Sequence, residues 1–394
     1  MRLSSDAETE AFRAELSAWL DAHAPSPQTI AERKRSSGHL PGWARDWQLR
    51  LFDAGWLVPG WPPELGGRDA TPAQTLAYFE ELSRRGLPRA LNPQGIGVVA
   101  PTLLEHGTPD QRARWLVPTL RGEVTWCLGM SEPDAGSDLA ALRTSAELLA
   151  DGWHVNGQKV WTSGAQHADW CLAYVRTEPE APKHKGISVL VVDLGAPGLR
   201  VRPLPELTDP EHADFNEVFF DDVVVAADNL LGGRGDGWRI SMGSLGHERG
   251  MLWVGQQNAL ERDVLALVAL GRGRPVLGAD ARFRDDVGAS FVDALAMKVL
   301  GYAGFAKFAR GEDAPEHTLL KLFGSEAGQR LADAAAQWQG PAAFDADITS
   351  PLGQVLPGSW EEGWLHSFAH TIAGGSSEIQ RNIISERLLG LPRR

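Results

Sequence analysis

Cysteine is nearly absent. Cys127 and Cys171 are the whole supply in 394 residues, too few for a disulfide framework or a cysteine-bound metal, so packing is the role left to them. No stretch reaches the ~18 uninterrupted apolar residues of a membrane span, and the amino terminus lacks the basic-then-apolar order of an export signal. The chain therefore reads as cytosolic, with no membrane partner. Basic residues are outnumbered, 38 against 51 acidic, for a net charge of −13. That excludes the basic face needed for nonspecific nucleic-acid binding, although a local basic patch is still free to hold a phosphorylated ligand. A Walker loop, a paired-histidine metalloprotease helix and a nucleophile elbow are also missing. Gly95-Ile96-Gly97-Val98-Val99-Ala100 matches the dinucleotide fingerprint, but Pro93 and Gln94 stand where a buried strand should precede it. Any nucleotide cofactor is expected to be held without a Rossmann unit.

What is present is ample apolar material, 43% of the chain, enough for two or three packed domains. Fifteen tryptophans read mainly as packing residues, Trp43 and Trp47 at helical spacing among them, with a minority beside glycine-rich loops able to line a flat ligand. Ser5-Asp6-Ala7-Glu8 forms a capping-box pattern ahead of Phe12, Leu16, Trp19 and Leu20 on one helical face. Thr71-Pro72 and Thr108-Pro109 each predict a helix start with a capping hydroxyl and proline at the first position. Short strands follow: Trp153 to Val155 between Asp151-Gly152 and Asn156-Gly157, then the apolar runs from Ile187 to Leu194 and Val218 to Val225. Gly233, Gly235 and Gly237 read as a linker, after which the helical period returns, with 340–358 as a glycine- and proline-rich loop. The expected domains are 1–123 helical, 124–236 β and 237–394 helical.

Three segments carry chemistry. Leu128-Gly129-Met130-Ser131-Glu132-Pro133-Asp134-Ala135-Gly136-Ser137-Asp138 combines a hydroxyl, small residues and turn formers just before the β region. Asn156-Gly157-Gln158-Lys159-Val160-Trp161-Thr162-Ser163-Gly164 reads equally as a hairpin with a core tryptophan. Gly374-Gly375-Ser376-Ser377-Glu378-Ile379-Gln380-Arg381 is a glycine loop entering an amphipathic helix, suited to anion or cofactor contact and also to plain capping. In this order the segments resemble the acyl-CoA dehydrogenases, and Gly60-Trp61-Pro62-Pro63-Glu64, Phe215 to Val223 and Lys321 to Glu326 extend the likeness over essentially the whole chain.

The resemblance implies an α+β fold: an N-terminal helical domain, a central antiparallel β domain and a C-terminal helical bundle. It implies FAD, an acyl-CoA substrate oxidised between its α and β carbons, an electron-transfer flavoprotein as acceptor, and a homodimer or homotetramer, with a heteromer left open. By it, Leu128, Met130, Ser131, Ser137, Trp161, Thr162, Ser163, Gln337, Gly340, Ser376 and Glu378 contact the cofactor, and Ser137, Gly246, Arg249, Gly374 and Gly375 face substrate. Hydrogen-bond donors from Ser131, Trp161 and Ser163 suit a flavin, which needs donors at N5 and its pyrimidine carbonyls to favour the reduced anion.

The chain also departs from the family pattern. Many members carry the catalytic glutamate where this chain has Gly374, and glycine takes no proton. Other branches place it before an arginine on the first helix after the β domain, and Leu245-Gly246-His247-Glu248-Arg249 supplies that arrangement. Glu248 is the expected base; His247 points about 100° away on a helix. The family's Arg-Lys-x-Phe-Gly motif, which reaches a neighbouring subunit's FAD, is replaced by Gly271-Arg272-Gly273-Arg274-Pro275-Val276. Two alternatives stay open: an oxidase or monooxygenase of the same superfamily, and an assisting subunit of a heteromeric dehydrogenase.

Overall fold

The computed structural model describes residues 6–32, 35–207, 213–312, 314, 316–344, 347–349, 355–357 and 360–392, with the backbone alone described at 244–252, 317–318, 347–349 and 355–357. In chain order, helical N-terminal and C-terminal parts precede and follow a mostly antiparallel sheet, the expected α+β class. The chain packs into two compact units. One comprises Lys34–Asp69 and Pro88–Glu248, the other Met1–Arg33, Ala70–Leu87 and Arg249–Arg394.

The first unit holds the sheet. Its strands are β1 (Trp126–Gly129), β2 (Ser145–Leu149), β3 (Gly152–Lys159), β4 (Trp170–Arg176), β5 (Ile187–Asp193), β6 (Leu199–Pro203), β7 (Asn216–Val225) and β8 (Leu230–Leu231). They run in the order β6-β7-β3-β2-β4-β5-β8, with β1 parallel to β4. Residues 171–175 and 187–192 are buried without interruption, which is why β4 and β5 read as continuous apolar runs rather than alternating ones. Cys127 and Cys171 face each other across β1 and β4 as buried free thiols, in keeping with packing.

Asn156-Gly157 is not the turn that its sequence suggests. β3 runs through it, and the ladder to β7 shifts register there: Val155 pairs with Val223, but Gly157 pairs with Phe220. The extra residue lies on β7, where Asp222 stands at φ 53° and gives its N–H to Asn156 Oδ1 at 2.9 Å. The asparagine thus serves a bulge instead of a hairpin. Thr108 caps its helix in this unit with a reciprocal Gln111 box, as expected, and Gly95–Val99 is π-helical, with no strand entering it.

The second unit is helical. The first helix, Ala7–His23, is capped by Asp6, whose Oδ1 accepts the Thr9 N–H at 2.7 Å. This corrects the expected Ser5–Glu8 box, since a carboxylate one residue later makes the same bond; Ser5 itself lies outside the described residues. Thr71 caps Pro72–Arg84 with Gln74 in a full capping box. The core joins Leu260, Val264 and Leu267, at helical spacing on one helix, with Ala294 and Met297 of a second and Leu331 of a third. Gly301 is required here, because a β-carbon on it would stand 2.2 Å from the Trp253 ring.

Among the described residues one helix, Ala281–Phe308, is long and apolar enough to cross a membrane by length and composition. One side of it enters the core; on the other Phe291, Val292, Leu295 and Val299 are at least half exposed. The stretch read as a loop contains a short turn, Gly340–Phe344, and two antiparallel strands, Asp347–Thr349 and Val355–Pro357. Its glycines and prolines end the helix without preventing pairing, and Pro357 sits at the strand end, where no ladder donor is needed.

Candidate flavin and acyl-thioester site

In the sheet unit the first motif leaves β1 and is tied to the end of β3. Leu128, half-buried, pairs with Leu172 of β4. Beyond it, Ser131 O accepts the Val160 N–H at 2.9 Å, and Met130 O accepts Lys159 Nζ at 3.1 Å. Because N–H and C=O point in opposite directions in a trans peptide, the Ser131 N–H is turned away from Lys159. Glu132 and Ala135 exchange both backbone hydrogen bonds at 3.0 Å, and this tight turn leaves Ser137 exposed.

The second motif follows directly. Trp161 stands at φ 59°, 61% exposed, edge-on to Phe215 with ring centroids 5.8 Å apart. It is therefore not the core tryptophan of the hairpin alternative. A left-handed backbone under a bulky side chain is strained, and such strain clusters at ligand sites. Thr162 is clamped to the start of β7: its N–H donates to Asn216 O and its carbonyl accepts Asn216 Nδ2, both at 3.0 Å. With those backbone groups occupied, Thr162 Oγ1 is buried with no hydrogen-bond partner among the described residues, a condition buried hydroxyls rarely hold. Ser163 beside it is half-buried. The fold thus brings Met130, Ser131 and Trp161–Ser163 together.

In the helical unit, Gly374 and Gly375 turn at φ 67° and 96°, which side-chain-bearing residues rarely adopt. Lys321 Nζ donates to Gly375 O at 2.7 Å, and Gln380 Nε2 reaches Gly374 O at 3.3 Å. Ser376 caps the following helix through the Ile379 N–H. Glu378 is exposed; its own backbone N–H, then the Ser376 hydroxyl, hold its carboxyl below the ordinary carboxylate value. Gln337 is not drawn to this turn: its amide bonds Asp333 one helical turn away, at 2.7 Å. Gly340 stands at φ 62° at the helix end. Gly246, Glu248 and Arg249 fall on the helix Gly237–Gly273 where only the backbone is described, so their side chains lie outside the described residues.

Sequence reasoning missed the residues that fix these segments. Asn216, Lys321 and Gln380 all lie inside motif-like stretches; the first two reach partners 54 residues away, which leave no local signal, whereas Gln380 reaches back only to the glycine turn before it.

The sheet-unit residues fit an isoalloxazine ring. They offer an exposed flat aromatic in Trp161, the Ser131 N–H turned away from Lys159, and the half-buried Ser163 beside them; Thr162 is wholly buried and presents no side-chain oxygen to a ligand. Comparison with known proteins identifies the family. Three family descriptions match in succession: acyl-CoA dehydrogenase N-terminal domain at 6–123, middle domain at 127–223 and C-terminal domain at 235–389. Acyl-CoA dehydrogenase IpdE1 of Mycobacterium tuberculosis is 40% identical over 404 residues, covering 98% of each chain. A solved structure described as the Tcur3481-Tcur3483 steroid ACAD superposes with a TM-score of 0.84 at 29% identity, covering 100% of both chains. The ChsE4-ChsE5 complex from Mycobacterium tuberculosis gives 0.81 at 30% identity, again covering 100% of both. This chain belongs to the acyl-CoA dehydrogenase family, a family of FAD-dependent oxidoreductases.

Proposed function

We propose that the chain oxidises a bulky acyl-CoA thioester to its trans-2-enoyl-CoA, with Glu248 as the base and an electron-transfer flavoprotein as acceptor. One observation carries this reading. At the position where many family members hold the catalytic glutamate, the backbone of Gly374 stands at φ 67°, a conformation suited to glycine. The base must then come from elsewhere, and Glu248 before Arg249 is the arrangement that other branches use.

A thioester acidifies its α carbon, but a carboxylate in water is far too weak to take that proton at a useful rate. A general base whose pKa is brought toward the working pH contributes roughly 100-fold or more. Glu248 takes the α proton, while Arg249 and Gly246 stand on the substrate side. FAD, when bound, would supply the hydride acceptor for the β carbon. Ser131, Trp161 and Ser163 orient the ring, and Ser137, exposed past the Glu132–Ala135 turn, meets the pantetheine arm. Among the described residues a β-carbon on Gly374 would meet nothing within 4 Å, and the lack of a glutamate side chain there supports a broad acyl group. The likeness to a steroid enzyme supports a fused-ring substrate.

We also infer an oligomer, homomeric or heteromeric. The exposed apolar stripe of Ala281–Phe308 supports a subunit contact. Two similar structures carry paired protein names, and the altered arginine motif at 271–276 favours a partner that completes the cofactor site.

The test is anaerobic mixing of the FAD-loaded protein with straight-chain, branched and fused-ring acyl-CoA thioesters and carrier-protein thioesters, following loss of the flavin's visible band. Bleaching first by the fused-ring thioester is the expected result. Bleaching by none removes the catalytic reading in favour of an assisting subunit, and rapid oxygen uptake moves it to an oxidase.

A further inference from the structure

Two charged residues of the motif segments have no part in that chemistry. Glu132 lies in the first segment and Lys159 in the second, and they meet inside the sheet unit at 2.8 Å. The Lys159 side chain is 0% exposed and that of Glu132 8%. Their other hydrogen bonds go to residues of one loop. Lys159 Nζ donates to Met130 O at 3.1 Å. Glu132 Oε1 accepts the Thr144 N–H at 2.9 Å, and Oε2 the Arg143 N–H at 2.6 Å. The lysine stem passes beneath Gly129, where a β-carbon would stand 2.9 Å from Cys171 Sγ and 3.4 Å from Lys159 Cγ.

Burying two charges is unfavourable, and an apolar pair of similar volume often serves stability equally well. What an apolar pair cannot supply is a set of directed bonds, and here all of them converge on 130–144. Burial pushes the Glu132 carboxyl up, but Lys159 and the Thr144 and Arg143 donors outweigh it and hold the group below the ordinary carboxylate value. The carboxylate therefore stays ionised as the acceptor that closes the loop. Holding Met130 O inward fixes the plane of the next peptide, and with it the outward aim of the Ser131 N–H.

We propose that Lys159 and Glu132 are a buried positioning pair, which aims the 130–131 backbone at the flavin and closes the loop that carries Ser137. The role rests on the flavin reading above. It assigns these two residues an indirect part in cofactor binding, through the loop and without touching the ring.

The test uses the full chain. Lys159→Met alone strands a carboxylate in the core and is expected to fold poorly, so the main variant is Glu132→Gln with Lys159→Met, which removes both charges at similar volume. Its far-UV circular dichroism and thermal transition should stay near the parent's. Its FAD dissociation constant should rise by at least ~10-fold, the scale of a lost charge-assisted hydrogen bond. Its visible flavin band should change shape, and amide exchange should quicken over 131–144 but not in β4 or β5. Glu132→Gln, the second variant, keeps the shape but leaves the buried Lys159 ammonium without its counter-charge, so its thermal midpoint should fall below that of the double variant, and its affinity loss should be intermediate. Parent-like affinity and band shape in either soluble variant overturn the positioning role alone. A parent chain that takes up no FAD overturns the flavin reading and this role with it.

Discussion

Gly38 and Gly164 touch backbone to backbone: a β-carbon on Gly38 would stand 2.1 Å from Gly164 O, and one on Gly164 would stand 2.2 Å from Gly38 N. The segment 161–164 is thereby held from one side by residues near Gly38 and from the other by Asn216. Gly164 also stands at φ 74°. Gly164→Ala should therefore lose at least ~1–3 kcal/mol for the backbone strain alone, with a further loss from the overlap and weaker FAD retention. Among the described residues Gly136→Ala meets nothing within 4 Å and should stay within about 0.5 kcal/mol of the parent. Thermal denaturation of the pair checks both, and equal midpoints would contradict the contact.

Two tryptophans separate ligand contact from packing. Trp161 is 61% exposed and Trp126 0%, with the Trp126 indole N–H on Thr119 Oγ1 at 2.7 Å. Trp126→Ala should cost about 3–5 kcal/mol of stability. Trp161→Ala should leave the thermal midpoint nearly unchanged but weaken FAD binding by roughly 10-fold, the scale of one aromatic contact. Unchanged flavin affinity in Trp161→Ala would remove it from the cofactor site.

Glu248→Gln keeps the side-chain shape and removes its basicity. FAD content should be unchanged, while the rate of substrate-dependent flavin bleaching falls at least ~100-fold. Adding Gly374→Glu should restore little, because any side chain at φ 67° is strained before it reaches substrate. Bleaching at the parent rate in the single variant would exclude Glu248 as the base.

His154 gives the sheet unit a pH-dependent contact. Its Nε2 lies 2.9 Å from Asp151 Oδ1 and its Nδ1 2.8 Å from Asp222 Oδ1. Asp151 first, then Asp222, raises the imidazole pKa. A raised folded-state pKa means the protonated ring stabilises the fold fully below the ordinary histidine value of ~6.5, and the contribution is lost as pH climbs through the raised value. Asp151 is shifted down, chiefly by its hydrogen bond to His154, so its own share is present above the ordinary carboxylate value and disappears only as pH falls through the lowered one. His154→Gln should lower the thermal midpoint most at pH ~5.5–6 and least near pH ~9. A difference independent of pH would show that the ring acts by packing.

Much of the frame was legible because its signals are local. Thr71 and Thr108 announced their helices through a hydroxyl followed by a proline, and the structure adds Gln74 and Gln111 to complete both boxes. Asn156-Gly157 misled because a turn dipeptide and a bulge acceptor look alike until the partner strand is known. At the candidate site the motif residues were readable, whereas what holds them was not. Lys159 meeting Glu132, Thr162 meeting Asn216 and Lys321 meeting Gly375 join separate stretches of chain, and only folding brings those stretches together.

The facing cysteines of β1 and β4 give the sheet unit an internal clock. Both thiols are fully buried, so a thiol reagent has no open path to either in the closed fold, and burial first, then the neighbouring Cys171, pushes the Cys127 thiol well up. Labelling then waits on opening of the central sheet, and its rate under native conditions reports how often that sheet comes apart. Tightly bound FAD should slow this clock, since a ligand held only by the closed form makes opening rarer, and alkylation time courses with and without FAD at known concentration then yield both sheet opening and cofactor affinity.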